Sequence, residues 1–188
     1  MNFSELLRMR RAVRDFLDDD VPISVIREII KDSCLAPSAA NRQPWQFVVV
    51  TGRDRLKRLS DESKANLLED LEKNPNSLLR NYEAILRNPS YNVFYNAPCL
   101  VYIGGSPMVR SLNLDCALAA CYFMFSTVAR GLGTCWVALG SKIRNPGLLK
   151  MLKLPDDYQF VAPIILGYPR VIPPLPDRAE PRILSIIE

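Results

Sequence analysis

The run from Leu112 to Arg130 limits what this chain can fold into more than any other stretch. It holds Leu112, Leu114, Cys116, Ala117, Leu118, Ala119, Ala120, Cys121, Phe123, Met124, Phe125, Val128 and Ala129, with Asp115 as its one acid. A helix that is apolar on every side belongs in the middle of a structure or in a subunit interface. Its length of about 19 residues is near that of a membrane span. Asn113, Asp115, Ser126 and Arg130, and the lack of a second such run, argue for protein surroundings instead. Ala117, Ala119 and Ala120 allow close approach of another helix.

The elements on either side follow from hydrophobic period and punctuation. Helices are expected at about 3–9, 24–35, 54–73, 77–86 and 145–152, and strands at about 45–51, 99–103, 134–138 and 159–166. Ser24 suits an N-cap, with Val25, Ile29, Ile30 and Cys34 as the buried stripe behind it. Gly131 suits the left-handed residue that ends the apolar helix. Asn145 followed by Pro146 suits a helix start. Asn74-Pro75-Asn76 should break the polar helical region, and 54–90 reads as an exposed excursion or lid on the core. Residues 170–188 carry Pro173, Pro174, Pro176 and Pro181 and should be extended. Their apolar end, Ile183 to Ile187, must find a partner surface, for which a sheet edge of another subunit is expected. A chain of 188 residues without repeats fits one domain. The pattern is that of an α/β or α+β sheet with helices on its faces.

Composition removes several function classes. The chain has no histidine, so a Ser-His-Asp or Cys-His nucleophile and any His-ligated metal are excluded. Reactive chemistry would then come from a bound organic cofactor. The net charge of +4, with no Lys/Arg run, does not point to nucleic acid. Cys34, Cys99, Cys116, Cys121 and Cys135 are odd in number and lack Cys-x-x-Cys spacing, which suits free buried thiols in a reducing, cytoplasmic setting. The polar start Met1-Asn2-Phe3-Ser4-Glu5 does not read as a signal peptide.

Four segments look like ligand chemistry. Ala36-Pro37-Ser38-Ala39-Ala40-Asn41-Arg42-Gln43-Pro44-Trp45 joins a helix to a strand with small residues, two amides and two prolines. Small side chains let a flat molecule approach the backbone, and amides read heteroaromatic edges. The same residues would also make a rigid structural turn anchored by Trp45. Arg8, Arg10, Arg11 and Arg14 fall within seven residues and suit one bound phosphate, or a solvated charged face. Asp18-Asp19-Asp20 follows and would partly neutralise them. In 91–98, Asn92 and Asn96 and several aromatics either seal the core or meet a ligand ring. Leu139-Gly140-Ser141, just past a strand, lets backbone N–H groups approach a ligand atom.

Taken in order, four motifs give this chain a resemblance to the nitroreductase family of flavoproteins: Arg10-Arg11-Ala12-Val13-Arg14-Asp15-Phe16, the 36–45 loop, Ala129-Arg130-Gly131-Leu132-Gly133-Thr134-Cys135-Trp136, and Leu166-Gly167-Tyr168-Pro169. The resemblance covers nearly the whole chain. It implies an α+β fold with a mostly antiparallel sheet of four to five strands, a long buried central helix and a dimer-swapped C-terminal tail. It also implies a homodimer with one FMN at each end of the interface. NAD(P)H would be the co-substrate and a nitroaromatic, quinone or similar small molecule the acceptor, in a ping-pong exchange that needs no metal and no protein nucleophile. By position, Arg10 and Arg11 would hold the FMN phosphate, with Ala12 beside them. Arg14 would lie at the pyrimidine edge as electrostatic support. Pro37, Ser38, Ala39, Asn41 and Gln43 would reach FMN from the partner chain. Leu139 and Gly140 would offer N–H groups near flavin N5, Asn96 or Asn92 an amide to the ring, and Arg178 and Arg182 a return to the phosphate. Family members commonly carry Ser where this chain has Ala12, so one hydroxyl contact is missing. Other branches carry out reductive dehalogenation or flavin breakdown, and a flavin-binding protein without turnover is the remaining alternative.

Overall fold

A run buried on both sides sits at the centre of the computed structural model, which describes residues 2–74 and 76–188. Strand β2 (Cys99–Gly105) is buried along its whole length. Side chains alternate across a strand, so Cys99, Val101 and Ile103 join one core and Leu100 and Tyr102 the other. A continuous apolar run, rather than an alternating one, is what a doubly covered strand requires. Around it lie β1 (Gln46–Thr51), β3 (Gly133–Trp136) and β4 (Gln159–Gly167) in the order β1-β2-β4-β3, every pair antiparallel. Cys99 stands opposite Leu166 and Gly105 opposite Gln159, with a bulge between Ile103 and Gly104. The mostly antiparallel α+β sheet is therefore as expected.

One face carries α2 (Ile23–Ser33) and α5 (Leu112–Ala129). Leu112, Cys116, Ala119, Ala120 and Phe123 of α5 pack with Ile26 and Ile29 of α2, and the Ser33 hydroxyl donates to the Ala119 carbonyl at 2.7 Å. Leu114, Leu118 and Tyr122, on the other side of α5, are exposed, as are Phe3 and Leu7 of α1 (Phe3–Met9). The apolar helix is thus half core and half uncovered. Ser24 does not cap α2: Pro22 occupies the N-cap position, without a side-chain bond. Gly131 is left-handed (φ 73°) and the Asn145 side chain accepts from the Gly147 and Leu148 amides at the start of α6 (Pro146–Leu152), both as expected.

The other face corrects the reading of 54–90. Helix α3 (Arg53–Lys73) is no exposed excursion, because Leu56, Leu59, Leu67 and Leu71 are buried in the core beneath the sheet. Its many charges hide leucine spacings of three, eight and four residues, a helical period that only its packing makes plain. The break expected at Asn74-Pro75-Asn76 centres on Pro75, which lies outside the described residues. The expected helix at 77–86 divides into a 3-10 turn, Leu78–Tyr82, and the short α4 (Glu83–Arg87).

Glu62 ties α3 to the start of α6. Its Oε1 accepts from the Asn66 amide (2.7 Å) and from the backbone N–H of Arg144 (3.1 Å) and Asn145 (2.8 Å). Burial alone would raise this carboxyl, but those donors and the Arg144 charge outweigh it and hold it below the usual carboxylate value. Because the folded value is depressed, the contribution is complete above the unfolded value of 4.5 and is lost as pH falls through the folded one. Glu62→Gln should lower the Tm modestly at pH 7, by up to about 1 kcal/mol in stability. Thermal melts taken at decreasing pH should show the gap from wild type closing once pH passes below the carboxylate range.

Beyond Arg170 the tail adds no strand, and residues 171–188 make no hydrogen bond or ion pair among the described residues. Val171, Ile172, Leu175, Ile183, Leu184, Ile186 and Ile187 are exposed. Among the described residues no sheet edge of this chain receives residues 171–188, and the expectation of an edge on another subunit stands as it was.

Candidate functional site: two half-sites at opposite ends of the sheet

After α1 the chain becomes extended and lies along the β3–β4 end of the sheet. Ala12 bridges Thr134 and Phe16 bridges Pro169, with Val13 N–H donating to Thr134 O and Leu17 N–H to Tyr168 O, both at 2.9 Å. Along this segment Val13 and Phe16 are buried, Arg14 is exposed, and Arg10, Arg11 and Ala12 are half-buried. The Arg14 guanidinium lies 5.7 Å from the centre of the Tyr95 ring. Arg14 and Arg10 both lower the Cys135 thiol, although burial dominates and holds it above its ordinary value.

Among the described residues, Arg10, Arg11 and Arg14 form no ion pair. Asp18 turns to Arg53 (3.4 Å) and Asp15 to Arg170 (3.4 Å), so the acidic run does not neutralise the cluster as expected. Arg11 Nε and Thr134 Oγ1 are buried with no hydrogen-bond partner among the described residues. A convergence of unpaired guanidinium groups is costly by self-repulsion, and a bound dianion relieves it.

The 91–96 turn forms the wall of this half-site. Asn92 Oδ1 accepts from Phe94 N–H, and Asn92 Nδ2 donates to Asn96 Oδ1, both at 2.9 Å. Asn92 is thus occupied in holding the turn, while the Asn96 amide nitrogen has no partner among the described residues. Tyr95 and Asn96 are left-handed (φ 50° and 55°). Burial and the Tyr95 hydroxyl push the Tyr91 phenol well above its ordinary value, so it is protonated at any ordinary pH.

Leu139 and Gly140 sit in a 3-10 turn, Ala138–Ser141, facing the same turn. The expectation of a free N–H at Gly140 is not met, since that group donates to Val137 O at 2.9 Å. Glycine is required here for another reason: an added Cβ would lie 2.3 Å from Phe94 Cε1. Leu139 is half-buried and its carbonyl accepts from the Ser63 hydroxyl at 2.6 Å. Arg178 and Arg182 lie in the exposed tail and are not brought to this cluster by their own chain.

The 37–43 loop forms a second half-site elsewhere. Ala40, Asn41 and Gln43 are all left-handed (φ 51°, 53° and 47°) without being glycine. Such conformations persist only where the surroundings impose them. Ser38 Oγ accepts from Gln43 N–H (3.0 Å), and Gln43 Nε2 donates to Asn41 Oδ1 (3.0 Å). The Ala39 N–H donates to the buried Asp115 carboxylate at 3.0 Å, whose other oxygen accepts from the Ser111 hydroxyl at 2.8 Å. Pro37 leads the loop and Trp45 anchors its far end in the α2–α5 core. Asp115 was visible in the sequence as the lone acid of an apolar helix, and that anomaly was the signal of its role. Tyr95 and Cys135 left no comparable trace.

The two half-sites are far apart in one chain. Pro44 abuts Gly105, where an added Cβ would lie 2.6 Å from the Pro44 carbonyl, so the loop lies at the Gly105 end of β2 and on its α5 face. Ala12, through Thr134 and Leu166, lies at the Cys99 end, with Val13 and Phe16 on the α3 face. Six residue steps at about 3.4 Å separate those ends by roughly 20 Å.

The structure is an antiparallel four-stranded α+β domain with a cationic cluster at one end of the sheet and a constrained small-residue loop at the other. The chain belongs to the Nitroreductase family, whose model matches residues 7–168. It is 29% identical over 199 aligned positions to a nitrobenzene nitroreductase from Ectopseudomonas oleovorans, covering 87% of this chain and 85% of that one. Its fold is shared with an FMN-bound nitroreductase from Bacteroides fragilis (TM-score 0.82, 22% identity, all of both chains). It is shared as well with an iodotyrosine deiodinase bound to FMN and 3-iodo-L-tyrosine (TM-score 0.75, 20% identity, 98% of each chain).

Proposed function

We propose that the protein is a homodimeric oxidoreductase that holds FMN between two copies and passes electrons from NAD(P)H to a small acceptor such as a nitroaromatic or quinone. The carrying observation is the separation of the half-sites, which a single chain cannot close and a two-fold pair of chains can. The uncovered apolar side of α5, with Leu114, Leu118 and Tyr122, and the unpartnered tail supply a surface for the second copy.

The residues present suit FMN. Arg10 and Arg11 match a phosphate in charge and geometry, and Arg11 Nε has no other partner among the described residues. Arg14 presents positive charge where the flavin's pyrimidine edge would lie, and in a partly dry cleft that charge acts strongly. Asn96, rather than the occupied Asn92, offers an amide to the ring, and Leu139 lines the other side. The loop of a second copy, Pro37, Ser38, Ala39, Asn41 and Gln43, closes the site with small side chains and two amides, and Arg178 and Arg182 of a swapped tail add charge near the phosphate. Ala12 leaves room without a hydroxyl contact. FMN, when bound, supplies the two-electron exchange that a chain without histidine lacks. The chain's own part is to bind, orient and exclude water.

Mixed dimers test the composite site. Arg10→Ala and Asn41→Ala should each weaken FMN binding about tenfold in their homodimers, as loss of a charge-assisted or polar contact does. In a heterodimer of the two, one site carries both defects and the other none. Titration should therefore recover one wild-type-affinity site per dimer. A heterodimer with two equally weakened sites would place both residues in one chain's site and end this reading. Anaerobic bleaching by NADH or NADPH, followed by an acceptor screen, tests the turnover. A protein that binds FMN but bleaches with neither is a flavin carrier instead. A second reading, reductive dehalogenation, is favoured by the exposed Leu78, Tyr82 and Ile85, which offer an apolar cover for a substrate ring. Halide release in the same screen decides it.

A further inference from the structure

The face of α3 toward the site carries an unusual polar trio. Ser60, Ser63 and Lys64 are buried and share one side of the helix by their i, i+3 and i+4 spacing. Lys64 is 8% exposed, and its ammonium forms no ion pair among the described residues. It donates instead to the carbonyls of Asn88 and Tyr91, each at 2.8 Å. Ser60 Oγ accepts from Val93 N–H at 2.9 Å. Ser63 donates to Leu139 O at 2.6 Å and accepts from Lys142 N–H at 3.1 Å. The ends of these bonds are the two loops that form the wall of the cationic half-site.

A buried ammonium satisfied only by carbonyls does little for stability, since its desolvation offsets much of what it gains. What it does is define where those carbonyls sit. The chain from Asn88 to Asn96 has left-handed residues at Tyr95 and Asn96 and short turn bonds, Tyr91 N–H to Asn88 O and Tyr95 N–H to Asn92 O. Little else grips its first half. We propose that Lys64 is a positioning residue, which with Ser60 sets the 88–96 turn and thereby the placement of Tyr95 and Asn96 against Arg14. This role rests on the flavin reading, but its mechanical part can be tested without flavin.

The variant is Lys64→Met, which keeps the stem and its packing and removes the charge. Replacing a buried ion by an apolar isostere leaves folding intact in many cases. In the FMN-free protein, amide exchange should quicken at Tyr91, Val93, Tyr95 and Ala97 by tenfold or more, with α5 and β2 unchanged. In the same variant, the FMN Kd should rise about tenfold and the absorbance bands of the bound flavin should shift. Ser60→Ala, which removes the Val93 anchor without touching a charge, should give a smaller change in the same amides and serves if Lys64→Met does not fold. Unchanged exchange in 88–97, exchange raised evenly through the core, or local loosening with a wild-type Kd would each overturn the proposal. Wild-type protein that fails to bind FMN would end the flavin reading instead, and the exchange result would stand apart from it.

Discussion

Asp115→Ala is expected to weaken FMN binding by tenfold to a hundredfold without dissolving the fold. The carboxylate is the one group that takes the Ala39 amide, and it lies buried in the first turn of α5. Without it a part-buried N–H loses its partner, which costs about 1–3 kcal/mol. The loop it holds stores strain at Ala40, Asn41 and Gln43, since a left-handed residue with a Cβ costs roughly 1–2 kcal/mol. Once released, that strain is relieved by moving the backbone away from the geometry that a flat ligand would need. Asp115→Asn separates shape from charge. Its amide oxygen still accepts from Ala39 and its nitrogen can donate to the Ser111 hydroxyl, so binding should fall severalfold at most. The check is titration of both variants with FMN beside their far-UV spectra. An alanine variant with wild-type affinity would remove Asp115 from the site.

Gly140→Ala is expected to cost about 1–3 kcal/mol in stability, the range for overpacking a well-filled core. The new methyl would lie 2.3 Å from Cε1 and 2.8 Å from Cζ of the fully buried Phe94. Neither partner can step aside freely, because the Gly140 carbonyl is held by the Tyr102 hydroxyl at 3.0 Å and Phe94 N–H by Asn92. The strain must therefore appear in the 138–141 and 91–96 turns, both of which face the cationic cluster. Phe94→Leu removes the ring atoms that collide. On its own it should destabilise, but combined with Gly140→Ala it should restore part of the loss. A double variant showing simple additivity in denaturant unfolding would mean that the clash is relieved elsewhere.

How far the site could be read in advance differs from residue to residue. Arg10, Arg11 and Arg14 announced an anion site by residue type and crowding, and the loop at 36–45 by its small residues and amides. The choice between Asn92 and Asn96 could not be made in sequence, because each is an asparagine in the same aromatic turn. Which of them is already hydrogen-bonded within the turn depends on backbone angles that no pattern carries. Gly140 was noticed for a plausible reason that the structure replaced with another, since clearance from Phe94 depends on a contact across 46 positions of chain. The charges of α3 concealed Leu56, Leu59, Leu67 and Leu71, whose spacing becomes a core face only when the sheet is laid against it.

The amino-acid sequence by itself determined the order of most elements, the all-round apolar character of the 112–130 helix and the kinds of groups that would meet a ligand. These depend on local period, side-chain chemistry and turn residues, which are written along the chain. Only the tertiary structure decided where those groups stand. Antiparallel pairing through β2 and β4 sends the arginine cluster to one end of the sheet and the amide loop to the other, roughly 20 Å away by strand rise. Distance of that kind follows from register, a relation between strands far apart in sequence, and it gives the proposed second copy of the chain its physical reason.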